Sequence, residues 1–137
     1  MKVPDRITAD WLRAWGACKE QVAVVEREWP NGARPLLATA RKAARLGLDV
    51  NWLARRLLPD HAWKEFERAE DELFSKYHRI CDKLWEEWEE LGRSRTKTPE
   101  DFTRACEKAW AELARECAEV LVRLWRAELA KEGERHD

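Results

Sequence analysis

The stretch DHAWKEFERAEDELFSKYHRICDKLWEEWEEL (60–91), followed by GRSRTKT (92–98) and PEDFTRACEKAWAELARECAEVLVRLWRAELAKE (99–132), decides the fold. In its first part Trp63, Phe66, Leu73, Tyr77, Ile80, Leu84 and Leu91 recur at intervals of three, four or seven residues, on two interleaved heptad rows. Phe74, Cys81 and Trp88 form a flanking line, so the apolar arc is broader than a two-stranded zipper needs. Glu70 and Glu87 interrupt the rows. Glu65, Asp71, Glu72, Glu86, Glu89 and Glu90 make the opposite face acidic. Pro59-Asp60 supplies a helix start and Gly92 a stop.

The last part opens with Thr98-Pro99-Glu100-Asp101: a cap, a proline at the first helical position, then acids in the first turn. Its face is Phe102, Cys106, Ala109, Leu113, Cys117, Val120 and Leu124, widened by Trp110, Leu121 and Trp125. The spacing drifts from a strict heptad, which predicts a loosely coiled bundle. Each helix would be roughly 45–50 Å long. The short link 92–98 turns one back on the other, giving an antiparallel hairpin. A hairpin covers only one side of each helix. The remaining apolar surface must meet the head, a second copy of the chain, or a partner.

Residues 1–58 read as that head, made of four short helices. Thr8 caps a helix presenting Trp11, Leu12 and Trp15, and Gly16 breaks it. Cys18–Trp29 forms the second, with Val22 and Val25 inward, before Pro30 and the Asn31-Gly32 turn. Pro35 opens a third that reaches Leu46, and Gly47 stops it. Asp49 caps a fourth with Val50, Trp52, Leu53 and Leu57 facing inward. The expected fold class is all-α: a four-helix head (1–58) packed on a long antiparallel two-helix hairpin (59–137) in one compact domain.

Composition narrows the function classes. Of 137 residues, 45% are hydrophobic and 39% charged, as in a helical globular domain. No stretch approaches the length of a membrane span, and Met1–Asp10 lacks the apolar core of a secretory signal. Cys18, Cys81, Cys106 and Cys117 form no C-x-x-C, which fits reduced thiols in a cytosolic setting. Arg outnumbers Lys 17 to 9, as in heat-adapted or GC-rich sources. The head carries 11 Lys/Arg against 6 Asp/Glu, and residues 59–137 carry 15 against 21, so a basic head sits on an acidic stalk. Nine tryptophans either fill wide helix–helix gaps or include exposed binding anchors. Trp85 is the first candidate anchor because it lies off both seams.

The runs ITADWLRAWGACKEQVAVVEREWPNG and ARKAARLGLDVNWLARRLLPDHAWKEF carry Trp11-Leu12, Gly16-Ala17-Cys18, Gln21, Pro30, Leu46-Gly47-Leu48-Asp49 and Trp52-Leu53-Ala54. Over residues 7–66 they resemble a recurrent opening of small helical proteins from phages and prophage-bearing bacteria. The resemblance implies phage or mobile-element company in a bacterial cytoplasm, and no catalytic activity. Similar proteins repeat helical segments near an Ala-Trp-Lys motif, whereas Ala62-Trp63-Lys64 occurs here once.

Chemistry-bearing patterns are few. Ala43, Gly47 and Leu53 match the small residue, turn glycine and later apolar position of a helix-turn-helix. Asn51, Arg55 and Arg56 would then lie on its recognition helix, with Arg41, Lys42 and Arg45 near phosphates. Arg56 stands where an apolar residue is usual, and any helical corner with glycine gives this match. Arg93, Arg95 and Lys97 make a basic hairpin tip, read either as a contact or as a solvated loop. His61/Glu65 and His78/Asp82 are four-residue pairs without the second acid–histidine pair of a two-metal bundle. No phosphate loop or nucleophile–base signature occurs. Neither a metal nor another cofactor is expected. The expected function is stoichiometric binding of a host or phage protein through Trp85, Arg93, Arg95, Lys97 and the basic face of the head, the candidate targets being transcription machinery or an antiviral nuclease. The alternatives are a DNA-binding regulator and a self-assembling protein that pairs through the hairpin.

Overall fold

A computed structural model of the chain describes residues 3–91 and 99–135. Six helices follow in order: α1 (Ala9–Ala14), α2 (Lys19–Glu28), α3 (Leu37–Arg45), α4 (Val50–Leu57), α5 (Asp60–Leu91) and α6 (Pro99–Arg135). The architecture is all-α, with α5 and α6 packed as the long hairpin. The pairs His61–Glu128, Phe74–Trp110 and Trp85–Phe102 step along the two helices in opposite directions, which fixes them as antiparallel. The expected stop at Gly92, the cap at Thr98, and the candidate contacts Arg93, Arg95 and Lys97 lie outside the described residues.

Local chemistry accounts for the head. Thr8 Oγ1 accepts from the Trp11 amide at 3.1 Å, and Asp49 Oδ1 accepts from the Trp52 amide at 3.0 Å, capping α1 and α4. At the end of α3, Gly47 adopts φ +72°. Its N–H reaches Ala44 O, and that of Leu48 reaches Ala43 O, each at 3.1 Å. These are the two bonds of a Schellman stop, and the left-handed residue between them favours glycine. Helix α3 starts two residues later than Pro35 suggested. The segment before it is committed elsewhere: Ile7 and Ala33 exchange backbone hydrogen bonds of 2.9 and 2.8 Å in an antiparallel bridge. The chain then turns tightly at Pro35, where the Leu36 N–H donates to Arg34 O at 2.8 Å, and Leu36 becomes the N-cap.

The core sits where the head meets the root of the hairpin. Phe66 and Leu57 are its most buried large side chains, joined by Leu12, Val25, Leu121 and Trp125. Helix α3 lies along α6, with Ala40 against Ala118 and Val122; small side chains permit that close approach. The N-terminal segment closes the assembly. Val3 N donates to Glu132 Oε1 at 2.7 Å, and Trp125 Nε1 donates to Pro4 O at 2.7 Å.

Toward the distal end the hairpin has only itself to pack on. Tyr77, Ala109, Leu113 and Cys117 form a narrow seam with Leu73 and Cys81 at its edges. Ile80, expected on this seam, is 37% exposed, because no third element covers that side of α5. Glu70 breaks the heptad row for a visible reason: its carboxylate oxygens accept from Asn51 Nδ2 at 2.8 and 2.9 Å, tying α4 to α5.

The seam also sets an alkaline limit. Burial, then the adjacent Glu116 carboxylate, raises the Tyr77 phenol to about 12. Burial, then the charges of Glu70 and Glu116, raises the Cys117 thiol to about 11. The unfolded chain loses these protons first, near 9 for the thiol and 10 for the phenol. Stability from these groups is therefore complete below pH 9 and falls between pH 9 and 12. Urea titrations across that range should show the decline, and Tyr77→Phe with Cys117→Ala should flatten it.

Candidate functional site

Beyond the head, α5 and α6 still carry large apolar side chains that no other described element covers. The consequence is an aromatic edge. Phe74 and Trp85 stand three helical turns apart on one stripe of α5, about 16 Å along the axis. Each has a ring from α6 beside it. Phe74 meets Trp110 edge-on at 6.4 Å, and Trp85 meets Phe102 edge-on at 5.7 Å, with Trp88 at 5.8 Å on Phe102. Phe74, Trp85 and Trp110 nevertheless remain 45%, 51% and 55% exposed. Such pairing holds the rings in defined orientations while leaving their faces open to solvent.

Acids rim this edge. Asp82, Glu86 and Glu89 are all exposed and lie within four residues of Trp85 on α5. The helix as a whole carries 11 Asp/Glu against 5 Lys/Arg. The field around the rings is therefore negative, and a basic surface would be drawn to it.

Trp85 is thus exposed, as its position off the seams suggested. In the sequence, Trp110 and Phe74 serve only to widen the helix faces. The signal that separates them is position along the hairpin. Leu121 and Trp125, which widen the same face of α6 near the root, are buried beneath the head; Trp110 lies beyond its reach.

Of the six candidate nucleic-acid residues, all but the half-buried Lys42 are exposed, and five of them have partners within the chain. Arg41 Nε pairs with Glu119 at 3.3 Å; Lys42 pairs with Glu28 at 2.9 Å and lies 5.3 Å from the Trp29 ring centroid. Lys42, then Arg27, holds the Glu28 carboxyl below its ordinary value. Asn51 is engaged by Glu70. Arg55 lies over Trp63 and Arg56 over Trp52, each 5.7 Å from the ring centroid. Arg45 is exposed on α3. Helices α3 and α4 each pack on α6 more than on one another, unlike the mutually packed pair of a helix-turn-helix.

His61 and Glu65 do not assemble a metal site. His61 Nε2 instead contacts Glu128 Oε1 at 2.7 Å, and Lys131 donates to the same oxygen at 3.2 Å. Burial raises the Glu128 carboxyl, but the hydrogen bonds and charges of His61 and Lys131 outweigh it and leave the group below its ordinary value. His78 pairs with Asp82 at 3.2 Å on an open helix face. Among the described residues no three potential ligands cluster to hold a metal ion. No helix is long and apolar enough to cross a membrane. No family model matches the chain, and neither a curated protein nor a solved structure does.

Proposed function

We propose that the chain is a stoichiometric, non-catalytic binding module whose hairpin edge docks on another protein. The observation that carries this reading is the set of three half-exposed rings, Phe74, Trp85 and Trp110, paired along one acid-rimmed edge. Aromatic rings that are already oriented lose little entropy on binding, and tryptophan dominates interface energetics. An arginine from the partner gains both the ring faces and the acids. The partner that fits is therefore a protein with an apolar patch bordered by Arg or Lys, the kind of surface that proteins handling nucleic acid present. The resemblance of the head to phage-borne proteins supports a host or phage protein of that kind, and inhibition by occupying its basic surface.

Four baits compared in nuclease-treated lysate test the proposal: the unaltered chain, Trp85→Ala/Trp110→Ala, Glu86→Lys/Glu89→Lys, and Arg55→Ala/Arg56→Ala. One stoichiometric protein should be retained by the first and fourth and lost by the second and third. Retention by all four, or loss only with the arginine pair, would overturn it. Retention of nothing but additional copies of the chain would support the self-assembling alternative instead.

A further inference from the structure

A partly open pocket of about 330 Å³ lies in the head between α1, α2, α3, α4 and α6. A concave, mostly apolar space of this size is the kind of site that small molecules occupy. Its buried wall is formed by Leu12, Val25, Ala40, Leu121 and Trp125, while the exposed lining residues Gly16, Cys18 and Asp49 mark the rim. Ala17, Ala33, Ala40, Ala43 and Ala118 keep the wall short of side chain, and the helices behind them hold it apart.

The wall chemistry selects the ligand class. No Lys, Arg, His or Glu lines the cavity. The one carboxylate, Asp49, sits at the rim and is engaged in capping α4. An anion would meet no countercharge, and any charged group carried inward would be desolvated against aliphatic side chains. Donors are present. The Gln21 Oε1 is fixed by the Asp49 amide at 2.9 Å, which leaves its NH₂ as two donors in the wall. Thr39, with its hydroxyl, and the indole-bearing Trp29 and Trp52 also line the cavity. An apolar cavity of about 150 Å³ takes benzene. This one, at about 330 Å³, has room for two rings or a chain of about ten carbons.

We infer that the head cavity is a binding site for one small, uncharged, mostly apolar molecule bearing a hydroxyl or carbonyl acceptor. The site is separate from the hairpin edge and does not depend on it. The test uses the full chain with N-phenyl-1-naphthylamine, a neutral two-ring dye that brightens in apolar surroundings. The dye should bind once per chain and be displaced by decan-1-ol, with decanoate and decylammonium each at least tenfold weaker. Ala43→Leu fills the cavity, so it should weaken the dye at least tenfold while leaving the melting temperature equal or higher. Decan-1-ol should also slow alkylation of Cys18 in the unaltered chain several-fold, a readout that needs no folded variant. Equal dye binding by the Ala43→Leu variant, charged decyl compounds binding as well as the alcohol, or Cys18 alkylation indifferent to decan-1-ol would each overturn the inference.

Discussion

Phe66→Ala is expected to destabilise the chain by about 3–5 kcal/mol, the cost of removing a fully buried aromatic ring from a core that cannot collapse around the hole. Phe66 is 1% exposed, stacks on Trp63 at 5.7 Å, and packs in the cluster that joins the head to both long helices. Domains of this size are held by about 5–15 kcal/mol in all, so the variant would sit near the edge of folding at 37 °C. Urea unfolding is the measurement: the midpoint should fall sharply with the slope unchanged. A loss below about 1.5 kcal/mol would mean that the root of the hairpin is not where the head is held.

Trp125→Ala should cost a similar amount, about 3–5 kcal/mol, by a different combination of losses. Its ring is 2% exposed, and its indole N–H is the donor that fixes Pro4 O at 2.7 Å. Truncation empties the ring's space and strands a carbonyl in the N-terminal segment. Trp125→Phe restores most of the packing but not the donor, and should recover more than half of the stability. The informative control is the same truncation at Trp85. That residue is half exposed and rests its ring edge-on against Phe102, so Trp85→Ala should cost no more than about 1.5 kcal/mol. One tryptophan builds the fold, and the other is available for a partner. Equal losses at the two positions would remove that distinction.

The helices were legible in the sequence because their signals are local. Thr8 and Asp49 cap the helices that follow them. The stop at Gly47 and the phase of Phe66, Tyr77, Leu113 and Cys117 also match the structure. What periodicity could not give was depth along the hairpin. Leu121 and Trp110 have equivalent credentials in the α6 pattern, yet one is buried under α3 and α4 and the other is open. That difference depends on where a separate segment docks, which no spacing rule contains. The roles of Glu70 and Asn51 were hidden for the same reason. A carboxylate that breaks a heptad row looks like a flaw until the amide that binds it arrives from another helix. The Ile7–Ala33 bridge and the clamp of Val3 and Pro4 on α6 are likewise long-range and carry no local mark.

The basic head illustrates a limit of charge counting. The head's excess of Lys and Arg is real, but Arg41 and Lys42 are paired with Glu119 and Glu28, and Arg55 and Arg56 are laid over indole rings. Cations held this way cover apolar rings and link helices, which is work a sequence tally assigns to an external anion. The acids beside Trp85 are exposed as well, Asp82 while paired with His78 at 3.2 Å, and the ring they surround is itself half exposed.

On the proposed function, this acid-rimmed aromatic edge, and not the basic head, holds the partner. Calorimetric titration of the captured partner into the unaltered chain, into Trp85→Ala and into Arg55→Ala measures it most directly. The expected result is a one-to-one complex that weakens about 30-fold or more with Trp85→Ala, the loss of at least about 2 kcal/mol expected of an anchor residue. The proposed function also predicts affinity that falls as salt rises and is unchanged within about twofold by Arg55→Ala. An affinity indifferent to Trp85 and lost with Arg55 would contradict it.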